Sequence, residues 1–296
     1  MVFESIADML ALAQSEGKPL WRLILAADAE EQGISEETSL QKMRTLLAAM
    51  READASYNAE DRSGSGLSGG SAARMTAAQA NYQTITGEFI TGIIAGALRM
   101  AEANACMKRI VAAPTAGSCG VLPALLFNYA ERFKLTDEDL LPALYIAGGF
   151  GQVIAGRVSI SGAEGGCQAE VGTASAMGAA ALVQLHGGSP HMMAQACAMA
   201  IKNLMGLVCD PVAGLVEVPC VKRNVIGAMN ALASAEMALA GIESAIPPDE
   251  VLDAMREVGL SLPASLRETG EGGLAATSTG KAIRQKIRGQ GSGVRG

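Results

Sequence analysis

The chain has 296 residues, with 30 Asp and Glu against 23 Lys and Arg, a formal net charge of -7. Hydrophobic residues make up 49%, enough to bury a sizeable core, which excludes wholesale disorder. The acidic balance and an aromatic content of only 3% argue against a phosphate-binding or base-stacking surface.

In chain order, the start Met1-Val2-Phe3-Glu4-Ser5 has no basic stretch and no long apolar run, so no signal peptide is expected. Leu20 to Glu31 reads as a helix stopped by Gly33. Ser35 is a candidate cap, Glu36 and Glu37 suit a first turn, and Leu40, Met43, Leu46, Leu47 and Met50 follow at helical spacing. Thr136 with Asp137, Glu138 and Asp139 opens a helix that feeds Leu140 to Ala155. Val158 to Ser161 is the best strand candidate, and Pro248 and Asp249 open a helix carrying Val251, Leu252, Met255 and Val258. Three apolar stretches, Phe89 to Leu98, Leu140 to Gly156 and Ala174 to Ile201, approach membrane length. They are rich in small residues and lack an aromatic belt, so they read as buried helices of a soluble protein. The expected fold is mostly α, a single helical domain over residues 1-296 with a mobile glycine-rich tail at 289-296.

Glycine, at 35 residues, gathers in loops between the helices. Four stand out: Arg62 to Ser71, Pro114 to Gly120, Ser161 to Cys167, and Gly270 to Gly280. A Gly-Ser turn running into a helix offers backbone N–H groups and a helix dipole to an anion, and Thr115 to Gly120 ahead of Val121 has that form. No turn has P-loop spacing, and no strand precedes any of them as a dinucleotide site requires.

Of six cysteines, Cys106 and Cys197 fall within apolar helical runs and read as buried packing thiols. Cys119 sits at an expected helix start, as a nucleophile, a ligand or a small loop residue, the last being favoured. Cys167, Cys209 and Cys220 lie beside glycine or proline, where irregular backbone suits a metal site. The histidines, His186 and His191, read as packing or capping residues rather than as a fourth ligand.

Four runs carry a resemblance: Ala113 to Gly120 (Ala-Pro-Thr-Ala-Gly-Ser-Cys-Gly), Ser159 to Gly172, Cys209 to Cys220, and Thr277 to Gly280. With the loop Ser63 to Gly70, they resemble the iron-sulfur-dependent L-serine dehydratases (L-serine ammonia-lyases), in their alpha chain, from about residue 20 to about residue 285. The resemblance implies a 4Fe-4S cluster on Cys167, Cys209 and Cys220. One iron is then left open as a Lewis acid for loss of the serine hydroxyl, giving pyruvate and ammonia. It further implies a cytoplasmic enzyme of serine catabolism, feeding gluconeogenesis, with a beta chain as partner. Substrate contacts are expected from Ser63, Ser65 and Gly66, from Thr115, Gly117 and Ser118, from Glu164, and from Thr277, Ser278 and Thr279. Glu164 is expected to meet the ammonium or orient the Cys167 loop, with Lys222 and Asn224 behind a cluster ligand. The base is unassigned. The alternatives are a cluster-dependent lyase acting on cysteine or threonine, and a pyridoxal-phosphate ammonia-lyase with Lys281 as its Schiff-base lysine.

Overall fold

In a computed structural model that describes residues 3–291, the chain is all helix, with no strand among the described residues. The helices are α1 (Ile6–Glu16), α2 (Leu20–Gln32), α3 (Glu36–Ala55), α4 (Ser71–Ala80), α5 (Glu88–Ala105), α6 (Val121–Phe133) and α7 (Asp137–Arg157). After them come α8 (Gly162–Gly165), α9 (Thr173–Leu185), α10 (Pro190–Leu204), α11 (Cys220–Leu239), α12 (Pro248–Ser261) and α13 (Ser278–Gly291).

Local chemistry sets these ends. Ser35 accepts the Thr38 amide at 3.1 Å to open α3, with Glu36 and Glu37 complementing the helix dipole. Thr136 and Asp139 form a reciprocal capping box at the head of α7, the Asp139 carboxylate accepting the Thr136 amide at 2.7 Å. Val158 to Ser161 is not a strand. Val158 has extended backbone but no neighbour to pair with, and Ser161 instead caps α8 through the Ala163 amide. The run Ala174 to Ile201 is two helices, broken after His186 where Gly187 turns at φ 77°. Of the expected tail, residues 289–291 continue α13, and residues 292–296 lie outside the described ones.

Helix α9 is the centre of the molecule. Ala174, Ala176, Ala179, Ala180 and Val183 are buried on every face, as expected of a helix apolar all round. Helices α6, α7, α10 and α11 pack around it, their approach eased by its small side chains. Leu47, Met50, Leu122, Leu126, Leu140 and Leu144 form a second apolar layer between α3, α6 and α7. No helix among the described residues is long and apolar enough to cross a membrane. The layout brings the starts of α6, α9 and α11 to one end of the bundle; the Pro114 to Gly120 turn, the Ser161 to Cys167 loop and the Cys209 to Cys220 segment lead into those starts, while the other two glycine loops precede α4 and α13.

Candidate functional site at the shared helix N-termini

Cys167 follows the one-turn helix α8 and precedes a π-turn over Gln168–Gly172 that merges into α9. Gly166 turns the chain at φ 73°, against the Leu207 carbonyl and the Leu262 side chain, where any Cβ would collide. Cys209 lies in an extended segment bridged to Arg267, its amide donating to the Leu266 carbonyl and its carbonyl accepting from Glu268, both at 2.8 Å. Cys220 is the first residue of α11, directly after a cis peptide at Val218-Pro219. All three thiols are buried.

Burial pushes the Cys167 thiol up to about 11, although the neighbouring Arg223 guanidinium pulls the other way. It pushes Cys220 up to about 12, with the charges of Cys167 and Glu170 adding to the effect. Cys209 is driven up further, by burial and then by Cys167, Glu170 and Cys220. The sulfurs thus lie within electrostatic reach of one another, and a metal that takes them must displace their protons. Among the described residues no three His, Cys, Asp or Glu side chains converge on a point for a single ion. An iron–sulfur cubane takes each thiolate at a different corner, so its ligands surround a volume instead. Three buried cysteines from three segments fit that demand in donor type.

Arg223, on α11, fixes the cysteine segments. Its guanidinium donates to the Val208 carbonyl at 2.6 Å and to the buried Asp210 carboxylate at 2.9 Å. The other oxygen of Asp210 accepts the Leu274 amide at 2.8 Å, which docks the Gly270 to Thr277 segment beside Cys209. Asn224, 1% exposed, binds the turn ahead of α6. Its Oδ1 accepts the Gly120 amide at 2.8 Å, and its Nδ2 donates to the carbonyls of Gly117 and Cys220 at 2.8 and 3.0 Å. Ser118 is fully buried in that turn and donates to the Ala113 carbonyl, and Thr115 donates to Glu170 Oε1 at 2.7 Å. Ser63 and Ser65 both donate to the buried Glu217, at 2.6 and 2.9 Å, which docks the Ser63 to Gly70 loop onto the Cys209–Cys220 segment. Gly66 supplies the exposed bend of that loop at φ 74°.

Other expected residues lie elsewhere. Glu164 is exposed and lines a cavity with Ser159, Met255, Arg256 and Leu260. Glu170, six residues later, is the carboxylate that faces Thr115; burial raises its pKa, the Thr115 hydrogen bond lowers it, and Glu268 raises it further. Thr277 spends its hydroxyl at the start of α13, donating to Leu274 and accepting from Gly280, while Ser278 and Thr279 are exposed. Lys222 and Lys281 are exposed too, which leaves Lys281 a poor Schiff-base lysine. His186 Nδ1 pairs with the Tyr129 hydroxyl and His191 with Glu243, both away from the cysteines. Cys106 is not interior: it ends α5 and is half-exposed, whereas Cys197 and Cys119 are buried. Sequence reasoning passed over Glu170, Asp210, Glu217 and Arg223. The signal available was a charged residue set among apolar neighbours beside a cysteine.

The sequence model of a family described as serine dehydratase alpha chain matches residues 15–275. The probable L-serine dehydratase, alpha chain, of Bacillus subtilis (strain 168) is 45% identical over 294 residues, 99% of this chain and 98% of that one. The L-serine dehydratase, alpha chain, of Peptoniphilus asaccharolyticus is 40% identical over 279 residues, 94% of this chain and 96% of that one. L-serine dehydratase 1 of Escherichia coli (strain K12) is 42% identical over 181 residues, 60% of this chain but only 40% of that longer protein.

Proposed function

This chain belongs to the serine dehydratase alpha-chain family, and from that premise we propose that it converts L-serine to pyruvate and ammonia. One observation carries the reading: three buried cysteines from separate segments lie within electrostatic reach of one another, and Asn224 ties one of them, Cys220, to the glycine turn at Thr115 to Ser118. Cys167, Cys209 and Cys220 would hold a 4Fe-4S cluster. When bound, that group supplies a Lewis acid at the iron lacking a thiolate, which makes the serine hydroxyl a better leaving group.

The chain's own residues supply the rest. The Thr115 to Ser118 turn at the head of α6 receives the substrate carboxylate, since backbone amides and the helix dipole there favour a negative charge. Arg223 holds a fixed positive charge beside Cys167 and offsets the crowding of thiolates. The Ser63 to Gly70 loop, latched on Glu217, and the Gly270 to Thr279 segment, latched on Asp210, screen the reacting atoms from water. Loss of water from serine leaves an enamine, which tautomerises and hydrolyses to pyruvate and ammonia. The protein acts in the cytoplasm, where a reducing thiol pool keeps cysteines free, and works with a beta chain.

Anaerobic isolation followed by iron and acid-labile sulfide analysis tests this. About four of each per chain are expected, with serine-dependent pyruvate formation once a beta chain is added. No iron after anaerobic reconstitution would overturn the reading.

A further inference from the structure

Glu170 sits between the two halves of the site. A methyl group on Gly117 would lie 3.2 Å from its Oε1, and one on Gly162 would lie 2.8 Å from its Oε2. The carboxylate therefore fills the space that these two glycines leave open. Thr115 donates to Oε1 at 2.7 Å and sets the direction of the group. Oε2 accepts no hydrogen bond from the described residues and faces the gap beside Gly162. That same Gly162 position is 3.1 Å from Cys209 Sγ and 3.2 Å from Glu268 Oε2.

The two carboxylates at this gap have no cationic partner of their own: among the described residues neither Glu170 nor Glu268 forms an ion pair with a Lys or Arg, and the guanidinium of Arg223 is committed to Asp210 and the Val208 carbonyl. An ammonium placed in that gap would be attracted by both carboxylates, the half-buried Glu170 and the solvent-exposed Glu268, next to the Cys209 sulfur. The Thr115 to Ser118 turn beside them favours an anion. A zwitterion with its carboxylate on the turn and its ammonium in the gap suits both at the span of one amino acid.

We propose that Glu170 binds the α-ammonium of the substrate, with Glu268 facing it, and so makes the site selective for free amino acids over 2-hydroxy acids of the same shape. The proposal rests on the dehydratase reading for the place of the substrate. It assigns Glu170 the ammonium contact expected of Glu164.

The test uses the iron-loaded protein, isolated anaerobically with its beta chain. Dissociation constants are measured by calorimetry for L-alanine and for L-lactate, which carries a hydroxyl where alanine carries the ammonium; neither has a β-hydroxyl to lose, so neither is consumed. The wild type should favour L-alanine. Glu170→Gln should weaken L-alanine by about 10- to 100-fold, the scale of one lost charge-assisted hydrogen bond. It should leave L-lactate within about threefold and keep the iron and sulfide content. Glu170→Asp, which keeps the charge, should restore part of the preference. A wild type that binds both ligands alike or binds neither, equal losses for both in the Gln variant, or loss of iron from that variant would each overturn the proposal. Pyruvate formation from L-serine is scored separately: if it is absent while the wild type still prefers L-alanine, the dehydratase reading fails and the role of Glu170 stands.

Discussion

The side-chain amide of Asn224 donates to the carbonyl of Gly117 at 2.8 Å, across 107 residues of sequence. The same nitrogen reaches the Cys220 carbonyl one turn back on α11, so one buried side chain sets the spacing between a cysteine and the glycine turn. Asn224→Ala would leave the Gly120 amide and the Gly117 carbonyl buried without these partners. The expected loss is about 2 kcal/mol or more in stability, together with a several-fold rise in KM for serine. Urea unfolding midpoints and steady-state kinetics check the two effects. Asn224→Asp keeps the acceptor for Gly120 but removes both donations, and it should not rescue KM.

The cysteines should separate cleanly by role. Cys167→Ser, Cys209→Ser and Cys220→Ser should each fall from about four irons per chain to well under one after anaerobic purification. Cys106→Ser is the control, because that thiol is half-exposed at the end of α5 and apart from the three-cysteine group. It should keep its iron. Iron and sulfide analysis with circular dichroism, to show that each variant is folded, reads the outcome.

A pH effect follows from Glu102. It is 1% exposed, and it accepts the Ser71 and Ala72 amides at the head of α4 and the Tyr57 hydroxyl. Burial alone would raise its pKa, but the hydrogen bonds from Ser71, Ala72 and Tyr57 outweigh it, and the net value falls below the ordinary 4.5. A depressed carboxylate contributes stability that is present above its unfolded value and lost as pH falls through the folded one. Glu102→Gln should therefore be less stable than wild type at neutral pH, and the gap should close as the pH is lowered below about 4. Urea midpoints for both proteins across that range give the comparison.

What the sequence showed and what it hid follow from the range of the interactions. The caps at Ser35 and Thr136 bond within three residues, so residue type and spacing were enough to place the starts of α3 and α7. The cysteine segments and the Thr115 turn were also legible, because glycine and proline mark irregular backbone locally. Val158 to Ser161 reads as a strand by composition, yet a strand exists only through a partner, and pairing is not a local property. Glu164 and Glu170 sit on opposite sides of Cys167 in one motif. The turn at Gly166 and the π-turn at Gln168–Gly172 decide that Glu170 faces Thr115 while Glu164 faces solvent. Neither turn can be counted off at 3.6 residues. Glu217 was hidden for the same reason, since its partners Ser63 and Ser65 are more than 150 residues away.

That last contact supports a prediction about motion. Ser63, Ser65 and Glu217 are linked by hydrogen bonds between 2.6 and 3.1 Å, and the Ser63 hydroxyl also accepts the Ser68 amide inside its own loop. Apart from this latch the loop is glycine-rich and partly exposed, and its other hydrogen bonds, such as the Ser63 amide to the Ser68 carbonyl, run mostly within the loop itself. Glu217→Ala removes both acceptors at once and leaves two hydroxyls to find water. The loop should then open more often, and Arg62 next to it, already exposed, becomes a better trypsin site. Cleavage after Arg62 should speed up about tenfold or more, as expected if the latch contributes about 1.4 kcal/mol. Cleavage at Arg288, far along α13, should keep its wild-type rate. Limited proteolysis followed by mass spectrometry separates the two sites, and equal acceleration at both would point to global destabilisation instead of a released loop.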